Sequence, residues 1–354
     1  MQRHPELRWL ASVVLIVAAG AVVATSLSGV FRENSALPVT SPDQLIEQVR
    51  QPHVGGYYGT VTAQVDLGLP KSVSTALTAA VPAGALLRGS HQLRYWYADA
   101  DRQRVAVVNP DSEQDVFRNG DVVWEWDTGT RVARRSTISA TTGGALPLAL
   151  SSPAALTPPE LAGRILSLVG RASDTALRSG DEVDGRKTYE LVVRPDSAQS
   201  RIGEVDIQLD GREHVPLSVR VFAVDATQPA LDVAFSDVTF AMPASQNFAF
   251  TPPDDAKTVT GAKSADPDLE EDLDSVATVG SGWLTALSYS STELSGPALA
   301  EVAYQFLGTG AHAVKGDWGT GRVLETPVLS VLVTAKGRIL AGAVTPDVLY
   351  RALK

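Results

Sequence analysis

Apolar and polar residues alternate over much of the chain. Val61, Ala63, Val65 and Leu67 interleave with Thr60, Thr62, Gln64 and Asp66, the period-two pattern of a half-buried strand. Residues 91–136 read as a meander. His91–Tyr97 and Arg102–Val108 are separated by Asp99-Ala100-Asp101, while Gln114–Arg118 and Asp121–Trp126 flank Asn119-Gly120, a strong hairpin signal. Asp184-Gly185 repeats that device before Lys187–Arg194. Ile202–Leu209, Pro216–Val224 and Ala230–Phe240 follow, with a turn at Asp210-Gly211. Short loops between most strands predict antiparallel pairing, and about ten twisted strands in one sheet will curl.

Helical spacing is confined to a few places. Ser41-Pro42-Asp43-Gln44 is a capping box with proline in the first turn, followed by Leu45, Ile46 and Val49 on one face. Thr157-Pro158-Pro159-Glu160 has the same form and leads into Leu161, Ile165, Leu168 and Val169. The last part of the chain reads as a small α+β unit. It has a strand at Trp283–Tyr289 and a helix at Pro297–Leu307, then Val323–Val333 and Arg338–Val344 as a hairpin across Lys336-Gly337. Thr345-Pro346-Asp347 caps a final helix.

The pattern predicts an α+β fold, a large curved antiparallel sheet covered by short helices plus a small C-terminal α+β domain. The predicted segments are 1–9 as a cytoplasmic N-terminus, 10–31 as a membrane span, 32–253 as the large domain, 254–278 as an acidic linker and 279–354 as the C-terminal domain. The span rests on Leu10–Val30, 21 residues without a charge, which at about 1.5 Å per residue matches a bilayer core of about 30 Å. Arg3 and Arg8 precede it, so the bulk of the chain is expected outside the cytoplasmic membrane. An uncleaved signal anchor and a signal peptide cleaved after Ala24 both fit.

Composition narrows the chemistry. The 354 residues include no cysteine and carry a net charge of −10, which argues against disulfides, thiol chemistry, Cys-ligated metals and non-specific nucleic-acid binding. Histidines are scattered; HExxH and GxSxG are absent, and Gly308, Gly310 and Ala313 match GxGxxA only in spelling, since they follow a predicted helix. Residues 254–274 hold eight acids and two lysines but lack the ligand spacing of a calcium loop. No catalytic residue, metal or cofactor is predicted.

What the strands offer is apolar side chains on repeated faces. Leu93, Tyr95 and Tyr97, Val105 and Val107, Trp124 and Trp126, Val205, Ile207 and Leu209, and Leu231, Val233 and Phe235 are candidate linings of a cavity that few short helices would leave unfilled. An ordinary sealed core is the competing expectation. Val73, Leu77 and Val81 in one Pro/Ala/Gly-rich stretch, and Leu146 and Leu148 in another, are candidate lid residues.

Two stretches carry a family likeness. His91-Gln-Leu-Arg-Tyr-Trp-Tyr97, then Asp101-Arg-Gln through Arg118-Asn-Gly-Asp-Val-Val-Trp124-Glu-Trp126-Asp, resembles the meander of bacterial LolA-type lipoprotein carriers. Glu213-His-Val-Pro-Leu-Ser-Val-Arg220 with Gln228-Pro-Ala through Asp232-Val-Ala-Phe235-Ser-Asp-Val resembles the matching hairpin of the RseB/MucB branch, as does the hairpin leading into Val344-Thr-Pro-Asp-Val-Leu-Tyr350. The likeness covers roughly residues 42–354 and is closest to membrane-anchored members from high-GC Gram-positive bacteria, consistent with 23 arginines to 7 lysines.

The resemblance implies an incomplete antiparallel barrel and a binding protein that is not an enzyme. Its partners would be the acyl chains of lipids or lipoproteins, with the cytoplasmic membrane reached through residues 10–31. The alternative it implies is an RseB/MucB-like regulator that binds a membrane-spanning anti-sigma factor and senses lipid. A structural envelope protein without a ligand is the third reading.

Overall fold

The computed structural model describes residues 37–38, 40–50, 54–80, 82–137, 156–170, 173–260, 277–290 and 310–353. The chain divides into Met1–Val39 and Thr40–Lys354, and the fold described here is that of the second unit. The predicted membrane span, Leu146, Leu148 and the predicted helix Pro297–Leu307 lie outside the described residues, as do the side chains of Leu77 and Val81. Among the described residues, no helix is long and apolar enough to cross a membrane.

Helix α1 (Pro42–Arg50) begins on the expected capping box. The Ser41 N–H donates to Gln44 Oε1 at 3.2 Å and the Gln44 N–H donates to Ser41 Oγ at 3.3 Å. Strands β1 (Tyr57–Asp66), β2 (Arg88–Asp99), β3 (Arg102–Val108), β4 (Glu113–Asn119), β5 (Val122–Asp127) and β6 (Val132–Thr137) form the meander. Helix α2 (Lys71–Ala80) lies between β1 and β2. Helix α3 (Pro158–Leu168) precedes β7 (Ser173–Ser179), β8 (Thr188–Pro195), β9 (Ile202–Asp210), β10 (Pro216–Ala223), β11 (Pro229–Thr239) and β12 (Lys257–Thr260).

These twelve strands make one open, curved sheet in the order β12-β6-β5-β4-β3-β2-β1-β11-β10-β9-β8-β7. All neighbours are antiparallel except β12 with β6. The meander and the later hairpins thus meet along β1 and β11. There the register shifts between Thr60 and Val61. A Cβ at Gly59 would fall 2.1 Å from the Asp237 carbonyl oxygen, so the residue beside this bulge must lack a side chain. The Asp184-Gly185 turn is present as predicted, with φ +49° and +67°; the other hairpin turn falls one residue later than expected, on Gly120-Asp121, with Gly120 at φ +64° and Asn119 paired to Val122 as the last residue of β4.

The second sheet is six-stranded, in the order β13-β14-β18-β17-β16-β15. Its strands are β13 (Ala277–Val279), β14 (Ala286–Ser290), β15 (Ala311–Gly316), β16 (Gly319–Glu325), β17 (Ser330–Thr334) and β18 (Arg338–Gly342), and α4 (Pro346–Arg351) follows them. Leu332, Leu340, Val344, Val348 and Leu349 form the core under α4.

Three sequence expectations change here. Val323–Val333 is two strands. Pro327 has no N–H to donate to a sheet ladder, and Thr326 Oγ1 accepts the Leu329 N–H at 3.1 Å across the turn. Trp283 lies in a 3₁₀ turn (Gly282–Leu284), with its indole N–H donating to Ser173 Oγ at 2.8 Å. The stretch read as an acidic linker contains β12 and the start of β13, and Asp255 pairs with Arg131 beside the β12–β6 edge.

The two sheets are tied by side chains. Arg201 donates to Ser330 Oγ at 2.8 Å and to the Thr326 carbonyl at 3.0 Å, and it pairs with Glu325. The Arg201 and Thr345 N–H groups donate to the carbonyls of Ala343 and Gln199 at 2.9 and 2.8 Å. Leu67 packs with Ala223, Ala230 and Val328. Val73, expected in a lid, packs with Leu69 against Leu324 and Val333 of the second sheet.

Candidate functional site

The ladder registers sort the large sheet into two faces, because directly paired residues share a face. Val61 pairs with Leu93 and Phe235, Leu93 with Val107, Val233 with Val219, Val219 with Ile207, and Ile207 with Leu191. One apolar surface therefore runs unbroken from β3 to β8. Helix α3 packs across β10 and β11 with Leu161, Ile165 and Leu166 buried, so this is the inner face. Helix α1 contacts both α3 and β7, and the Arg50 guanidinium donates to the Leu166 carbonyl at 3.0 Å, tying the two helices together.

All the cavity candidates except Trp124 and Trp126 lie on this face. Leu93, Tyr95, Val105, Val107, Val205, Ile207, Leu209, Leu231, Val233 and Phe235 are each at most 9% exposed; Tyr97 is half-buried. The inner face is thus closed in this structure.

Trp124 and Trp126 stand on the opposite face. Trp124 pairs with Phe117, and both tryptophans and Phe117 meet Phe250, with ring centroids 4.8–5.9 Å apart. The Arg104 guanidinium lies 4.5 Å from the Trp96 ring and 4.6 Å from the Phe117 ring. This is a separate satellite core. The hairpin turn contains its signal: with Gly120-Asp121 as the two turn residues, Asn119 stands opposite Val122 and Trp124 must fall opposite Phe117.

A cluster of tyrosines interrupts the inner face. Tyr57 stacks on Tyr97 with centroids 4.9 Å apart and meets Tyr95 edge-on at 5.8 Å. Phe235 and Phe240 complete the surround at 6.3 and 5.9 Å from Tyr57. The Tyr95 hydroxyl is fully buried; it faces Tyr57 but has no partner in hydrogen-bond geometry.

Above these rings stands the first turn of α3. Its expected capping box is not made, since the Thr157 side chain makes no capping hydrogen bond. Glu160 is half-buried there, and its charge bears on Tyr57, Tyr95 and Tyr97. Burial raises the Glu160 carboxyl above its ordinary range, against the opposing pull of Arg164 and Arg118. Burial also raises all three phenols, so they stay neutral donors at physiological pH. Sequence reading missed Tyr57 and Glu160, because one opens a strand and the other looked committed to a helix cap.

A shallow depression of about 450 Å³ lies elsewhere, where Gly203 and Glu204 meet Phe222–Ala226. No group of three or more His, Asp or Glu able to hold a metal occurs among the described residues.

No family model matches the chain, and no curated protein matches it. Solved structures do. The MucA/MucB complex of Pseudomonas aeruginosa is 17% identical, covering 88% of this chain and 95% of that one, with a TM-score of 0.42. An uncharacterised conserved protein from Thermus thermophilus is 12% identical over 62% of this chain and 99% of that one, at 0.37. A LolA superfamily protein from Nitrosomonas europaea is 9% identical over 60% and 99%, at 0.27. The likeness is one of fold.

Proposed function

We propose that this protein is a non-catalytic binding protein, held at the outer face of the cytoplasmic membrane by residues 10–31, that accepts the acyl chain of a lipid or lipoprotein. The observation that carries the reading is the inner face: an apolar surface continuous from β3 to β8, with the Tyr57–Tyr95–Tyr97 group set into it under α3. Hydrophobic transfer supplies the driving force, at about 0.8 kcal/mol for each buried CH₂. A chain of about 16 carbons then offers on the order of 10 kcal/mol before ordering costs. Because the face is closed, binding requires α3 to yield part of its packing on β10 and β11, and the chain would take the place of Leu161, Ile165 and Leu166 there.

Mass spectrometry of organic extracts of the full chain, purified from bacterial membranes in mild detergent, tests this. A stoichiometric acylated lipid is the expected result, together with competition by added lipid against a fluorescent acyl probe. A lipid-free protein that ignores the probe would sink the reading. Recovery of a single-span membrane protein in place of lipid would move it to the regulator alternative.

A further inference from the structure

The inner face contains a hydroxyl that its own packing does not need. Phenylalanine would fill the place of Tyr95 as well, and a buried donor without a partner costs about 1–3 kcal/mol. No group stands in hydrogen-bond geometry to the Tyr95 hydroxyl: Tyr57 meets the Tyr95 ring edge-on at 5.8 Å and Tyr97 lies 6.4 Å away between ring centroids. The first turn of α3 opens with Pro158-Pro159, which have no N–H, and Glu160 brings a carboxyl to the same corner. From there the half-buried Tyr97 leads outward from the fully buried Tyr95.

We propose that Tyr95 is the polar anchor of the acyl site: its O–H donates to the carbonyl oxygen of an esterified or amidated acyl chain lying on the inner face. The inference rests on the acyl-binding reading and narrows it to neutral carbonyl ligands. A free carboxylate would meet the Glu160 charge, and the cations at this corner, Arg164 and Arg118, already act on Glu160. An ester or amide brings an acceptor without a charge, which is what the orphan donor lacks. Tyr95 is a binding residue here; no bond is made or broken.

The test compares palmitic acid with its methyl ester as competitors of a fluorescent acyl probe, at pH 7.5, on the full chain and on Tyr95→Phe and Glu160→Gln. The wild type should prefer the ester. Tyr95→Phe should weaken the ester about five-fold, the loss of one net hydrogen bond, while the ligand-free unfolding midpoint stays level or rises because the orphan hydroxyl is gone. Glu160→Gln should narrow the gap between acid and ester. A Tyr95→Phe protein that binds the ester like wild type overturns the anchor, and so does a loss of ligand-free stability, which would show that the hydroxyl has a structural partner. Preference for the acid overturns it too. If both probes bind equally and Tyr95→Phe is silent, acyl binding stands and the anchor falls; if neither probe binds any variant, both fall.

Discussion

The two faces of the large sheet are built from the same strands and kept from water by different physics. On β9, Val205, Ile207 and Leu209 enter the inner face, while Glu204, Asp206 and Gln208 enter the outer one. The inner residues are dry because their neighbours are apolar. The outer ones are shielded by each other: Arg178 reaches Glu190 at 3.6 Å and Glu204 at 3.1 Å, and Arg220 reaches Glu190 at 3.7 Å and Asp206 at 3.5 Å. Unsatisfied atoms occur on both faces, but their settings differ. Asp206 Oδ1 and Arg220 Nε lie within a charged network, whereas the Tyr95 hydroxyl is buried among aromatic rings with no partner in hydrogen-bond geometry. On the proposed reading the Tyr95 hydroxyl is a donor kept for a ligand's acceptor, while an orphan inside an ionic network is a packing compromise.

Neighbouring residues of β1 give the sharpest way to break this contrast. Val61 is fully buried on the inner face and Thr62 is exposed on the outer one. Val61→Asp should cost about 4 kcal/mol or more, enough to unfold many domains, because the buried carboxylate gains no cation. Thr62→Asp should stay within about 0.5 kcal/mol in the same urea titration. Equal costs would mean that the faces are not distinct. Next in size is Leu166→Ala in α3, fully buried between helix and sheet. It should remove about 2–5 kcal/mol of stability. If α3 is the cover that yields to an acyl chain, the same change should speed association of the acyl probe in stopped-flow measurements. Lower stability with an unchanged association rate would make α3 a fixed wall.

The parity of each strand was legible in the sequence; the pairing between strands was less so. Alternation correctly set Leu93, Tyr95 and Tyr97 on one side of β2 and Val205, Ile207 and Leu209 on one side of β9. Parity within a strand does not say which face its neighbour shares, and so Trp124 and Trp126 joined the inner residues until the register across the Gly120-Asp121 turn separated them. The capping box at Ser41 was readable because its two hydrogen bonds are local. The same spelling at Thr157 was misleading because Glu160 stands beside strands distant in sequence, and the tyrosines it meets come from β1 and β2. A further strand, β12, was hidden in an acidic stretch because it lies on a sheet edge and needs one partner only.

The smallest expected effect concerns the outer face and has a sign that pH reveals. Asp206 is raised to about 6. Burial is the main cause, the hydrogen bond with Glu204 and the charges of Glu190 and Glu204 add to it, and Arg220 opposes it. A carboxyl whose folded pKa exceeds its unfolded value of about 3.9 favours folding in its protonated form. Its contribution is therefore fully present below about pH 4 and is lost as pH rises through about 6. Arg220→Ala removes the cation that makes the ionised form tolerable, with Asp206 and Glu190 left facing each other. The variant should lose about 1–2 kcal/mol at pH 7.5, since Arg220 is itself partly solvent-exposed. It should converge on the wild type as pH falls towards 4, where a protonated Asp206 needs no cation. A penalty that stays constant across that range would locate the role of Arg220 in the packing of its aliphatic stem, and the outer face would then owe less to ion pairing than its distances imply.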